Sequence, residues 1–465
     1  MIKTGVSLFN LGRVFLMAMP MLAVSAGFSA AGEPQKTIDL AAVYSMAREQ
    51  DPAIAAARAS MEAGKQKFNQ GLSLLLPTVT AAGESKYNDQ EVTYKGAGEN
   101  FPLSGGVKRY DSRAASVTLT QPLFRFQNYE SYRQGVIAGE QAETQYNGAR
   151  QDLITRTAQA YFDVLFAQDS LRFTQSYKEA IENQLLQAQK AFEAGTVTIT
   201  DTHEAQARRD LAMALEISVQ NDLEVKKDSL AKITGVYPGE LAPLKPEIPL
   251  TVPEPDDAEQ WLDLAEKGNP ALIIARQALA VAGEETKKNR SGHLPTVDLV
   301  ASYSYSTASD GSFGVGSETT AQVVGVQAQL PLFAGGATLS KTREAAALEE
   351  KARQDLETSL RSTRAQTRSL YLGVKAGVSQ AMALRQALVS SLRSLDSTRK
   401  GFELGLRTGV DVLNAQQQVF AARRDLAQAE YNYLLNHLRL KASAGLLEDK
   451  DVELVNNLLS TSKED

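Results

Sequence analysis

The chain has 465 residues, 43% hydrophobic and 22% charged, with a formal net charge of −6 and no cysteine. That length exceeds one ordinary core, so several domains or a repeated architecture are expected. The acidic balance argues against nucleic acid as a partner, and the missing thiol excludes disulfides, thiolate metal sites and cysteine nucleophiles.

The first residues combine Lys3 and Arg13 with an apolar run from Val14 to Val24, followed by small residues. This predicts a secretory signal peptide over residues 1–31, too short to span a bilayer, with cleavage after Ala31 or, as the alternative, Ala26. Beyond it no run of eighteen apolar residues occurs. If the mature chain crosses a membrane, strands must do it.

A helix is expected from Asp51-Pro52-Ala53 up to Pro77, where the phrase LPTV (76–79) turns the chain into a strand. Alternation of Val79, Ala81 and Tyr87 against Thr78, Thr80, Glu84 and Lys86 predicts a strand over about 78–95, and SVTLTQP ends a partner over about 108–121. The polar, glycine-rich stretch 88–108 between them suits an exposed hairpin loop. No proline occurs between Pro122 and Pro238, and Ile154, Ala158, Tyr161, Leu165 and then Ile181, Leu185, Ala188, Phe192 repeat at helical spacing. A helix from about Gln127 to Phe192 extends roughly 100 Å at ~1.5 Å per residue, too long to bury its stripe alone. It stops at the FEAG turn, where Gly195 suits a left-handed cap, and a returning helix is expected from Asp201 to about Thr234.

Six of the fifteen prolines then crowd into Pro238 to Pro255, marking residues 236–257 as a linker. After it the same text is written again. Asn269-Pro270-Ala271 answers Asp51-Pro52-Ala53, Arg276 answers Arg58, and LPTV returns at 294–297 without a gap. Strands are expected over about 296–306, with Val297, Leu299, Ala301, Tyr303 and Tyr305 on one face, and over about 319–330, with Val324, Val326, Ala328 and Leu330 on one face. Residues 307–318 form the second loop. A second helical hairpin occupies 336–445, reversing at FELG with Gly405 and restarting at Asp411. The repeats are therefore 32–235 and 258–447, with a tail at 448–465. Tyrosines near the ends of the apolar face suit strands at a membrane interface, although a half-buried sheet in a soluble domain reads similarly. Four strands in lipid leave two unpaired edges, so more than one copy must join to close a barrel.

The N/D-P-A helix start, the LPTV strand start, the P-L-F at 122–124 and 331–333 and the paired tips F-E-x-G-x-x-T-x-x-D together resemble the TolC family of outer-membrane efflux and secretion channels over nearly the whole mature chain. The resemblance implies a mixed α and transmembrane β fold in a homotrimer: a twelve-stranded barrel among outer-membrane lipid, continuous with a long α-helical barrel in the periplasm. It implies a passive exit duct for tripartite efflux pumps or type I protein secretion, fed by an inner-membrane transporter and a periplasmic adaptor (membrane fusion) protein. It further implies that Arg407 holds the first tip through Thr200 and Asp201, assisted at position 402, where Phe402 lacks the hydroxyl of the family's usual tyrosine. Asp411 becomes one member of an acidic ring in the pore constriction, and the second such ring falls on Asn414, an amide. Adaptor contact is expected at the tips, at Gly195, Gly405 and Thr408.

Elementary chemistry offers plainer roles for the same residues. Asp201 and Asp411 fit helix N-caps, Arg407 fits a helix-end cation, and the two glycines fit turn geometry. Carboxylates repeated around an axis, in contrast, repel one another and recruit cations. Catalysis finds no support. His203, His293 and His437 are scattered, HEAQA at His203 lacks the second histidine of a zinc protease, and GSFGVG sits in no strand-to-helix context. No enzyme activity, cofactor or metal is expected, and Trp261 reads as a core residue. The alternative function is a soluble periplasmic coiled-coil adaptor or spacer, which should carry one helical hairpin and compact β-domains.

Overall fold

The computed structural model describes residues 37–93, 106–310 and 315–460. The expected signal peptide, the last five residues and the centres of both hairpin loops lie outside the described residues.

Each repeat opens on the same local chemistry. Helix α1 (Leu40–Gln50) leads into α2 (Pro52–Ser73), where Asp51 caps the start by accepting from the Ala53 amide at 3.0 Å and Pro52 occupies the first helical position. In the second repeat α5 (Ala258–Gly268) leads into α6 (Pro270–Arg290), capped by Asn269 through the Ala271 amide at 2.9 Å. A proline there loses no hydrogen bond, because the first helical amides have no partner in the helix. Both caps also anchor the helix behind them: Arg156 donates to Asp51 at 2.8 Å, and Asn269 donates to the Ser443 carbonyl at 2.8 Å. The linker lies between the two halves, and Trp261 of α5 just behind it is buried and donates from Nε1 to the Pro255 carbonyl at 2.8 Å.

The prolines of LPTV bias Leu76 and Leu294 toward extended backbone. Strands start at the next residue: β1 (Thr78–Val92) pairs with β2 (Gly106–Phe124), and β3 (Thr296–Ala308) pairs with β4 (Ser317–Gln329). All pairings are antiparallel in the order β1-β2-β3-β4, so β2 and β3 join the two repeats and β1 and β4 are the edges. Strand β2 runs on through Pro122, with an irregularity between Pro122 and Phe124. The last β1 residue in register is Thr78, opposite Thr120, so Pro122 lies where one neighbouring strand has already ended and the missing amide is tolerated.

The register decides which side chains share a face. Val79, Ala81, Val117, Leu119, Leu299, Ala301, Tyr303, Val324 and Val326 fall together, while Thr78, Thr80, Thr118, Thr120, Ser302 and Ser304 fall on the opposite face. Val79, Val117, Tyr303, Tyr305, Val324 and Val326 are all exposed in the protomer. At the base of the sheet Arg125 forks onto Asp298, Nε to Oδ1 at 2.7 Å and Nη2 to Oδ2 at 2.5 Å, tying the end of the first ribbon to the start of the second. A bidentate charge-assisted pair of this kind contributes on the order of 1.5–3 kcal/mol.

Below the sheet run α3 (Phe126–Glu193, 68 residues) and α7 (Ala337–Glu403, 67 residues), each about 100 Å long at ~1.5 Å per residue. They return as α4 (Ile199–Thr234) and α8 (Gly409–Ser443). Among the described residues no helix is long and apolar enough to cross a membrane. The main core forms a belt around the middle of these rods. Leu153, Ile154, Ala158, Tyr161 and Leu165 of α3 pack with Leu434 and Leu438 of α8, with α1, and with Leu241 and Ala242 of the linker. The Tyr161 hydroxyl donates to the Ala242 carbonyl at 2.8 Å, so its ring is buried without a polar penalty. Helix α9 (Asp449–Asn456) closes the belt. Asn456 accepts from the Ala41 amide at 3.1 Å and donates to Asp39 at 3.0 Å, holding the two ends of the described chain together.

Just under the sheet, Glu130 of α3 is 1% exposed and Glu284 of α6 is 5% exposed. Glu284 binds Arg133 at 3.0 Å and Lys287 at 3.1 Å, whereas Glu130 Oε2 and Glu284 Oε2 lack donors. A proton held between the carboxyls satisfies both oxygens. Burial pushes Glu130 up to about 7, reinforced by its hydrogen bond to Glu284 and by that residue's charge against the opposing Arg133 and Lys287. Burial also opposes ionisation of Glu284, but the hydrogen bonds from Glu130 and Lys287 and the charges of Lys287 and Arg133 outweigh it and hold Glu284 below the ordinary range. Because the folded value of Glu130 lies above the unfolded one, its stabilisation is full below the ordinary glutamate range and is lost as pH rises through about 7. Thermal melting of purified protein is therefore expected to fall between pH 5 and 8 more steeply in the native chain than in Glu130→Gln; parallel curves would show that the pair holds no extra proton.

Candidate functional site at the helical tips

The two hairpin reversals are built alike. In the first, Gly195 takes φ +73°, its amide reaches the Phe192 carbonyl at 2.9 Å, and the Thr196 amide reaches Ala191 at 2.9 Å. In the second, Gly405 takes φ +73°, its amide bonds Phe402 at 3.0 Å, and Leu406 bonds Gly401 at 2.8 Å. The long backward bond closes each helix end in a Schellman arrangement, and the left-handed residue between favours glycine.

The returning helices begin earlier than the aspartates suggest. Thr198 and Thr408 are the N-caps, and Asp201 and Asp411 stand at the third helical position as the acidic arm of a capping box. Asp201 Oδ2 accepts from the Thr198 amide at 3.0 Å and hydroxyl at 2.8 Å. Asp411 Oδ2 accepts from the Thr408 amide at 2.9 Å and hydroxyl at 3.0 Å. The Thr408 amide, then its hydroxyl, and then the nearby Arg407 charge hold the Asp411 carboxyl below the usual aspartate range. Each aspartate spends one oxygen on the cap, which leaves the other available elsewhere.

Between the tips lies a cleft of about 580 Å³ lined from both hairpins, by Thr198 and Asp201 on one side and Phe402, Gly405, Arg407 and Thr408 on the other. The chain thus brings five of the expected site residues to one place. Asp411 and Asn414 lie on the next turns of α8. Gly195 and Thr200 are exposed on the first tip. Among the described residues, Arg407 makes no ion pair with Asp201 and no hydrogen bond with Thr200 inside the protomer. Asn414 is engaged by a residue that sequence reasoning passed over: Arg208 of α4 donates to Asn414 Oδ1 at 3.1 Å and to Gln417 Oε1 at 2.6 Å. A signal for it existed, since aligning Asp201 with Asp411 places Arg208 opposite Gln418, a mismatch in charge within otherwise similar tips.

Among the described residues no group of histidines and carboxylates could hold a metal ion.

A family model described as outer membrane efflux protein matches residues 43–236 and 261–446, one stretch on each side of the proline-rich linker. The chain is 33% identical over 415 residues to alkaline protease secretion protein AprF of Pseudomonas aeruginosa, covering 89% of this chain and 85% of that one. It is 34% identical over 444 residues to outer membrane protein TolC of Escherichia coli, covering 93% and 87%. Among solved structures, the fold is similar to that of VceC from Vibrio cholerae, with a TM-score of 0.75 at 19% identity over 87% of this chain and 96% of that chain. The CmeC channel of Campylobacter jejuni superposes with a TM-score of 0.75 at 16% identity over 96% and 98%.

Replacing Thr408 by Val removes the hydroxyl of the second capping box, a loss of about 1 kcal/mol in the first turn of α8. Amide exchange around Val410 to Leu413 is expected to quicken roughly fivefold while the belt around Tyr161 is unaffected; unchanged exchange at the tip would show that the cap does not hold this turn.

Proposed function

The chain belongs to the outer membrane efflux protein family, and from that membership we propose the assembly through which it works. It is a non-enzymatic export channel of the outer membrane. In the proposed assembly three copies set β4 of one beside β1 of the next, closing a twelve-stranded barrel, and the paired rods continue it as a helical tunnel into the periplasm. One observation carries this reading: the register collects most of the apolar side chains of the four strands on one face, with Val300 and Val323 among the exceptions, yet among the described residues leaves two edges unpaired. Hydrocarbon accepts the face and rejects the edges, and closure with further copies satisfies both.

The tips lie at the far end of rods about 100 Å long, so they are the part that a periplasmic adaptor and an inner-membrane transporter reach first. Gly195, Gly405 and Thr408 are the proposed adaptor contacts. Arg407, free of Asp201 and Thr200 inside its own protomer, is proposed to hold them on the neighbouring copy, with Phe402 packed beside it. Asp411 is proposed to face the lumen through its uncommitted oxygen. Asn414 there carries no charge, so one acidic ring rather than two marks the constriction. Cargo by this reading includes proteins handed over by type I secretion as well as small toxic molecules, in keeping with relatives named for protease secretion and for efflux.

Fractionation tests the assembly: a detergent-requiring oligomer of three protomers in the outer membrane is expected, and a water-soluble periplasmic monomer would overturn it. In planar bilayers Asp411→Asn is expected to weaken block by multivalent cations severalfold; equal block would place the acidic ring elsewhere. Arg407→Ser combined with Asp201→Ala is expected to raise single-channel conductance, and unchanged conductance would remove these residues from the closing contact.

A further inference from the structure

Near the tips the packing thins. The main belt gives way to a small cluster of Ile181, Leu185, Ala205, Ala212 and Leu413, with Tyr177 packed against it. Beside this cluster, two turns beyond Asp201, the Arg208 guanidinium crosses from the first hairpin to the second. Its Nη1 donates to Gln417 Oε1 at 2.6 Å and its Nη2 to Asn414 Oδ1 at 3.1 Å, and Glu204 Oε1 of its own helix lies 3.8 Å away. The Tyr177 hydroxyl of α3 lies near enough for the Arg208 charge to oppose the rise that burial gives its pKa, and the Tyr177 ring stacks on Phe420 of α8 with centroids 5.0 Å apart and planes 19° apart. One side chain, 27% exposed, therefore bridges the two hairpins. Among the described residues these two bonds are the only side-chain hydrogen bonds running directly between α4 and α8.

The chemistry suits arginine alone. Asn414 and Gln417 stand three residues apart on α8, so their amide oxygens share a face and present two acceptors to one planar fork. An ammonium at the end of a lysine has no such fork. The internal duplication shows that the link runs one way. Position 418 of the second hairpin, equivalent to 208, is glutamine, and position 204 of the first, equivalent to 414, is glutamate. Among the described residues no side chain of α8 makes the equivalent pair of bonds to α4; the bonds that α8 sends back, from Arg439 to Gln159 at 2.6 Å and from Tyr431 to Asp169 at 2.8 Å, go to α3 and lie farther from the tips.

We propose that Arg208 is the pin that fixes the first helical hairpin to the second near the tip of each protomer and so sets how easily the closed end opens. The proposal rests on the reading of the tips as the closed end of the duct, and it assigns Arg208 a positioning role that no cap or turn requirement imposes. Because both acceptors on α8 are neutral, the pin is weaker than an ion pair, and a carboxylate at position 414 should tighten it.

The absence of native cysteine allows spin labels on engineered cysteines at the exposed tip residues Ala194 and Leu404, with labelled subunits diluted among unlabelled ones, read alongside bilayer conductance. Arg208→Ala is expected to lengthen or broaden the distance between the two tips and to raise conductance at least twofold, with the oligomer intact. Arg208→Lys should fall between this variant and the native chain, while Asn414→Asp should narrow the distance and lower conductance. Intact oligomers of Arg208→Ala with native distance and conductance would overturn the pin. So would an Asn414→Asp variant that alters only cation block, since position 414 would then act as a lumen charge. A native chain that forms no conducting oligomer would sink the duct reading instead, and the intraprotomer distances would still report on the pin.

Discussion

A peptide group inside hydrocarbon has no water to turn to, and the architecture of this chain follows from that constraint. Its four strands place most of their valines, leucines and tyrosines on one face and most of their threonines and serines on the other, an arrangement that suits lipid outside and water inside. The sheet is nonetheless incomplete, because among the described residues the outer edges of β1 and β4 have no neighbouring strand in the protomer. Everything below the sheet is consistent with that incompleteness. Two rods of 68 and 67 residues bury only part of their stripes within one copy, and the main core is confined to a belt at their middle.

Duplication supplies this design economically, and the local devices were copied with it. A capped helix start with proline at its first position, a proline that turns helix into strand, a left-handed glycine at the tip and a capping box behind it recur in each half. The copies have since diverged where the halves must treat each other differently. Arg125 and Asp298 come from different repeats and tie the two ribbons at the base of the sheet. At the other end the tips share their turns but not their charges, with Arg208 and Glu204 answered by Gln418 and Asn414. Shared backbone chemistry gives the pseudo-symmetry, and unshared side chains give direction to the contacts between halves.

Much of this was legible beforehand for a simple reason: proline, glycine and strict alternation act within a few residues. Pro77 and Pro295 mark strand starts because the ring constrains the residue before it, and the proline-free stretches mark the rods. Helix starts were misjudged by three residues, since an aspartate at the third position of a capping box looks like the cap itself until the threonine before it is placed. Glu130 and Glu284 gave no warning either. Each sits in a helix with ordinary polar neighbours, and only the packing of α3 on α6 buries both and leaves two oxygens to share a proton.

The sequence by itself determined the element types, their order, the two-fold repetition and the family resemblance, because those depend on local backbone preferences and on spacing along one chain. Tertiary structure decided the register that sorts apolar from polar faces, the companionship of Glu130 with Glu284, and the grip of Arg208 on Asn414 and Gln417. These join residues far apart in the chain, and the contact depends on how helices rotate about their axes and how strands slide past one another. No local pattern encodes such rotations and shifts; they are settled only when whole surfaces pack and every buried polar atom must find a partner.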